Sequence, residues 1–80
     1  MTIPHADVCL DASGLWCPQP LLQAKQQLKQ LSAGEILKVI ATDPSSVVDF
    51  KVFAVTTGNE LIYFVQQASR YEFWLRKKRD

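Results

Sequence analysis

The chain has 80 residues, enough for one small domain and too few for two, with 48% apolar and 21% charged residues in globular rather than disordered balance. Nine Lys and Arg against eight Asp and Glu leave a net charge of +1, which excludes a broadly basic nucleic-acid coat. No apolar run approaches the ~18 residues of a membrane span, and the first residues lack a secretory-signal layout, so the expectation is a cytoplasmic protein without a membrane partner.

Val8-Cys9-Leu10-Asp11-Ala12 alternates with period two and stops at Ser13-Gly14, which predicts a strand with Val8, Leu10 and Ala12 on the core side and Cys9 and Asp11 opposite. Behind Cys17-Pro18-Gln19-Pro20, the residues Leu21, Ala24, Leu28 and Leu31 recur at helical spacing. Gly34 supplies the stop. Ile36 to Ala41 is apolar and partly β-branched, as a central strand should be. Thr42-Asp43-Pro44 reads as a helix start, with Asp43 as cap and Pro44 in the first turn, and Gly58-Asn59 closes that helix at about Thr57. Its valines (Val47, Val48, Val52, Val55) are poor helix formers and leave a strand as the competing reading. Leu61–Val65 and Tyr71–Leu75, joined by polar Gln66 to Arg70, predict a terminal hairpin. The order β-α-β-α-β-β implies an α/β two-layer sandwich, a mixed four-stranded sheet with two helices on one face. It forms a single domain over residues 1–80, with residues 1–7 frayed and 78–80 a flexible tail.

Two cysteines and one histidine cannot complete a zinc site, so no metal is expected, and the chemistry must be that of a single thiol. Cys17 stands where a turn hands over to a helix. Unpaired first-turn N–H groups and the helix dipole favour a thiolate there by roughly 0.3–1 kcal/mol, which predicts a mildly lowered Cys17 pKa. Pro18 and Pro20 have no N–H to lose, leaving Gln19 and Leu21 as the expected donors to sulfur and the regular helix starting at Pro20. A lone cysteine is commonly a small buried apolar residue. Against that reading, the helical stripe is complete without Cys17, and Pro-x-Pro is a poor core plug.

Leu10-Asp11-Ala12-Ser13-Gly14-Leu15-Trp16-Cys17-Pro18-Gln19-Pro20 resembles the signature of the TusA/SirA family of small sulfurtransferases, whose hallmark is Cys-Pro-x-Pro. The resemblance continues through Gly34-Glu35, Ala41-Thr42-Asp43-Pro44, Asp49-Phe50, Gly58-Asn59-Glu60-Leu61 and Leu75-Arg76-Lys77. It implies the sandwich described above and a persulfide carried covalently on Cys17, with no separate cofactor. The implied partners are a cysteine desulfurase or rhodanese-like donor and a downstream acceptor protein. The destinations it implies are transfer-RNA thiolation, molybdenum-cofactor assembly or sulfur oxidation. Many relatives have a second cysteine where Ala54 stands here, so an internal resolving thiol is not expected in that helix. Such transfer follows thiol–disulfide exchange and needs no histidine base.

In relatives the last strand lies close to the cysteine loop, so the resemblance implies that Arg76 and Lys77 support a thiolate or dock an acidic partner; Lys78 and Arg79 read as solvated tail. Four basic residues make too small a phosphate footprint for direct nucleic-acid binding. Asp43 reads as a helix cap, Asp49 as a surface charge with partner docking as the minority reading, and Trp16 as docking anchor or core packing alike. Cys9 reads as structural or incidental. Two alternatives stay open: a non-catalytic interaction or regulatory module, and a small thiol oxidoreductase pairing Cys9 with Cys17.

Overall fold

The computed structural model describes residues 3–79. Six elements follow in chain order: β1 (Val8–Ala12), α1 (Gln19–Gln30), β2 (Ile36–Ala41), α2 (Ser46–Thr57), β3 (Glu60–Gln67) and β4 (Arg70–Arg76). The sheet order is β1-β2-β4-β3, with β1 parallel to β2 and the other pairs antiparallel. Each helix returns the chain across one face, so the mixed sheet and the two-layer α/β sandwich stand as expected.

The core lies between helices and sheet. Ala24 and Leu28 of α1 and Phe50 and Phe53 of α2 bury against Leu37, Val39, Ala41, Tyr71, Phe73 and Leu75. Phe50 stacks on Phe73 with ring centroids 4.6 Å apart, and Phe64 tilts against the same ring. A bulge at Ile62 in β3 keeps the faces in phase: Leu61 pairs with Leu75 on the helix side, while Tyr63 pairs with Trp74 on the open side. There Trp74 is covered by Tyr63 edge-on and by the Lys38 ammonium, 5.0 Å from its ring.

Several boundaries differ from expectation. The regular turn of α1 begins at Gln19, one residue early, because Pro20 fits the second helical position without losing a bond. The helix ends at Gln30, and Gly34 serves the following turn at φ +88, donating to the Lys77 carbonyl. α2 starts at Ser46 rather than Pro44: Pro44 and Ser45 form a turn, and Asp43 accepts the Ser45 N–H instead of capping the helix. Gly58 closes α2 at φ +81 as expected. The final hairpin is longer than read, with Gln66, Gln67 and Arg70 inside strands and Ala68-Ser69 as the turn.

The expected frayed start is partly tied down. Asp7 donates its N–H to the Ile36 carbonyl and accepts the Ile36 N–H, which holds its carboxyl below the usual carboxylate range. Lys78, expected in the flexible tail, donates its N–H to buried Asn59. Met1, Thr2 and Asp80, the remaining ends of those two segments, lie outside the described residues.

α2 is apolar on both sides. Phe50 and Phe53 face the core, whereas Val48, Val52 and Val55 are 64%, 58% and 85% exposed. Phe50→Ala is therefore expected to cost about 3–5 kcal/mol in urea unfolding. Val55→Ala, far from the core, should stay within about 0.5 kcal/mol.

Candidate functional site

Parallel pairing places the C-terminal ends of β1 and β2, and the starts of α1 and α2, at one edge of the sheet. The chain leaves β1 through a loop fastened at three points. Asp11 accepts the Ser13 N–H, Thr42 Oγ1 accepts the Gly14 N–H at 2.9 Å, and Asp43 Oδ2 accepts the Cys17 N–H at 2.6 Å. Asp43 is 6% exposed and spends its other oxygen on Ser45, so one buried carboxylate joins the thiol loop to the start of α2.

Cys17 is exposed at this edge, one residue before Pro18, and its peptide bond to Pro18 is cis. The expected donors do not serve the sulfur: the Gln19 N–H goes to the Trp16 carbonyl at 2.8 Å. The contact of Sγ is with a carboxylate, donating to Asp49 Oδ2 in the first turn of α2 at 2.9 Å. That bond, some loss of hydration and the negative charges of Asp49 and Asp43 raise the Cys17 pKa above its ordinary value. The expected lowering is overturned, because a carboxylate bonded to the thiol proton outweighs the modest dipole of α1.

The expected cations are at the wrong end. β4 runs antiparallel to β2, so Arg76 sits opposite Ile36, about 17 Å of strand from Ala41 and the thiol edge. Arg76 pairs with Glu60 at 2.6 Å, and Lys77 Nζ donates to the Leu28 carbonyl near the end of α1. Neither supports a thiolate. Cys9 points to the open face of the sheet, about 10 Å of strand before the end of β1, which sets it apart from Cys17.

Trp16 is 74% exposed, which removes it from the core and leaves its docking reading open. A shallow groove between the helices is lined by Leu21, Lys25, Asp49, Val52 and Thr56. Asp49 is the residue whose position sequence reasoning missed. Its signal was topological: a βαβα order with parallel strands brings an acid in the first turn of α2 to the thiol before α1.

Comparison with known proteins places the chain in a family. The family described as "Sulfurtransferase TusA" matches residues 9–77. The chain belongs to the TusA family. It is 52% identical over 68 residues to a "Sulfur carrier protein TusA" of Allochromatium vinosum, covering 85% of this chain and 90% of that one. It is 45% identical to a protein of the same description from Pseudomonas paraeruginosa, over the full length of both. The crystal structure of a SirA-like protein from Desulfitobacterium hafniense shares the fold, with a TM-score of 0.78 at 23% identity over 90% of this chain and 99% of that one.

Three outcomes follow for this TusA-family site. The pH midpoint for alkylation of Cys17, read in a Cys9→Ser background, should lie above the ~8.5 of an ordinary cysteine, and replacing both Arg76 and Lys77 by Met should leave it unmoved. Since the folded chain holds the thiol proton more tightly than the unfolded one, the stability this bond contributes is fully present below the unfolded pKa. It is lost as pH rises through the raised folded value. Asp43→Ala, which leaves two N–H groups without their acceptor, should cost about 1–3 kcal/mol in urea unfolding.

Proposed function

We propose that this protein is a sulfur carrier that accepts sulfane sulfur on Cys17 as a persulfide and passes it to another protein. The observation that carries this reading is the exposed Cys17 Sγ at the mouth of α1, within a family whose relatives are described as sulfur carriers. An exposed thiol meets both a donor and an acceptor; a thiol in the core meets neither.

The transfer balances without an added oxidant. The Cys17 sulfur attacks the outer sulfur of a donor persulfide, one S–S bond forms as another breaks, and the donor leaves as a thiol carrying the proton that Cys17 gave up. The second transfer repeats the exchange with Cys17 as donor. The donor in this reading is a cysteine desulfurase or rhodanese-like protein, and the acceptor is a protein cysteine in transfer-RNA thiolation, molybdenum-cofactor assembly or sulfur oxidation. The setting is the cytoplasm, where thiols stay reduced. No helix of the described residues is long and apolar enough to cross a membrane. Loop rigidity supports the reading, because Asp43 and Thr42 hold the thiol loop against the sheet in a fixed presentation.

Intact-mass spectrometry after incubation with a cysteine desulfurase and cysteine tests it. One sulfur atom should be gained, be removed by dithiothreitol, persist in Cys9→Ser and vanish in Cys17→Ser. Wild-type protein that gains no sulfur from any persulfide donor, or a gain that survives Cys17→Ser, overturns the reading.

A further inference from the structure

We propose that Asp49 regulates this site: it holds Cys17 as a protonated, guarded thiol in the free chain and releases it when a partner protein brings a lysine or arginine against the Asp49 carboxylate. The proposal rests on the sulfur-carrier reading and adds to it what the partner must supply.

The geometry states the problem. A nucleophilic thiol in a transfer protein is ordinarily helped by a cation, yet the charged groups acting on Cys17 are the two carboxylates of Asp49 and Asp43. Arg76 and Lys77 are engaged at the far end of the sheet. From α1, Lys25 shares the groove with Asp49 but makes no ion pair with it among the described residues. The β1–α1 loop between Ser13 and Pro18 carries no charged side chain. In the contact with Asp49 the thiol is the donor, so the proton lies on sulfur rather than being drawn off it.

The two acids are not equivalent. Asp43 is buried with both oxygens occupied by backbone N–H groups, so it is a fixed fastener. Asp49 is half-buried, and its Oδ1 takes no hydrogen bond from any described residue. Val48 and Val52, one residue before and three after it on α2, are exposed, and so is Trp16 beside the thiol. An acid with a free oxygen and exposed Val52 on the same helix face suits a partner surface that sets a cation beside an apolar residue. Docking would remove water from that face and strengthen the new ion pair. Pairing then turns the carboxylate from the thiol and cancels the charge that disfavoured the thiolate.

The test compares wild type, Asp49→Asn and Asp49→Glu in a Cys9→Ser background, with circular dichroism to confirm folding and Asp49→Ala as a second neutral variant. Cys17 alkylation is followed across neutral and alkaline pH. Persulfide gain is timed by mass spectrometry from a small inorganic polysulfide and from a cysteine desulfurase. Asp49→Asn should lower the alkylation midpoint by about one pH unit, with Asp49→Glu staying near wild type. The neutral variants should load faster than wild type from polysulfide and slower from the desulfurase, having lost both guard and anchor. An unmoved midpoint, or loading slowed from polysulfide as well, overturns the guard role. Unchanged loading from the desulfurase overturns the anchor role. Failure of wild type to take sulfur from either donor defeats the carrier reading, while the alkylation midpoint still judges the guard.

Discussion

Parallel pairing of β1 with β2 is the constraint on which the site depends. A parallel pair needs a crossover helix, and the crossover returns the chain so that both strands end at the same edge. α1 and α2 therefore start side by side, each following its strand. Residues 32 positions apart, Cys17 and Asp49, meet at 2.9 Å because two strands of five and six residues run in one direction. Had β1 paired antiparallel, the thiol and the acid would lie at opposite ends.

The same sheet separates the charges. β4 runs against β2, which sends Arg76 and Lys77 to the edge where β1 and β2 begin. Asp43 and Asp49 meet the thiol while Arg76 and Lys77 lie at the other end, in a chain whose net charge is only +1. The thiol sits at the start of α1, where the dipole favours a negative sulfur, and yet two carboxylates act against it. Hydrogen bonding to the protonated form wins, because it is a direct contact, whereas the dipole is spread over the first turn.

α2 shows how one segment serves two demands. Phe50 and Phe53 fill the core beneath it, and Val48, Val52 and Val55 lie on its outer side. A helix apolar on both sides conflicts with the usual economy of a surface helix, and such conflicts gather where function is served. Those outer valines blurred the reading of the segment, since β-branched residues spaced along it also suit a strand. The turn at Asp43-Pro44 and the left-handed Gly58 decide for helix, although α2 begins two residues later than the proline suggested. The cause is local: the Asp43 carboxylate is shared between Ser45 and Cys17, so it is drawn away from capping.

What the sequence determined by itself was periodic or local. Alternation marked β1, the Leu21-Ala24-Leu28 stripe marked α1, aromatic runs marked the hairpin, and the Cys-Pro-Gln-Pro run marked the candidate thiol. Each depends on neighbours within a few residues, so pattern suffices to find it. Only the tertiary structure decided which charges face that sulfur. Electrostatic environment follows strand direction and order, and no local spacing connects residue 17 with 43, 49 or 76. Folding brought two acids in and carried the cations away, so the thiol holds its proton where the helix dipole alone would have loosened it.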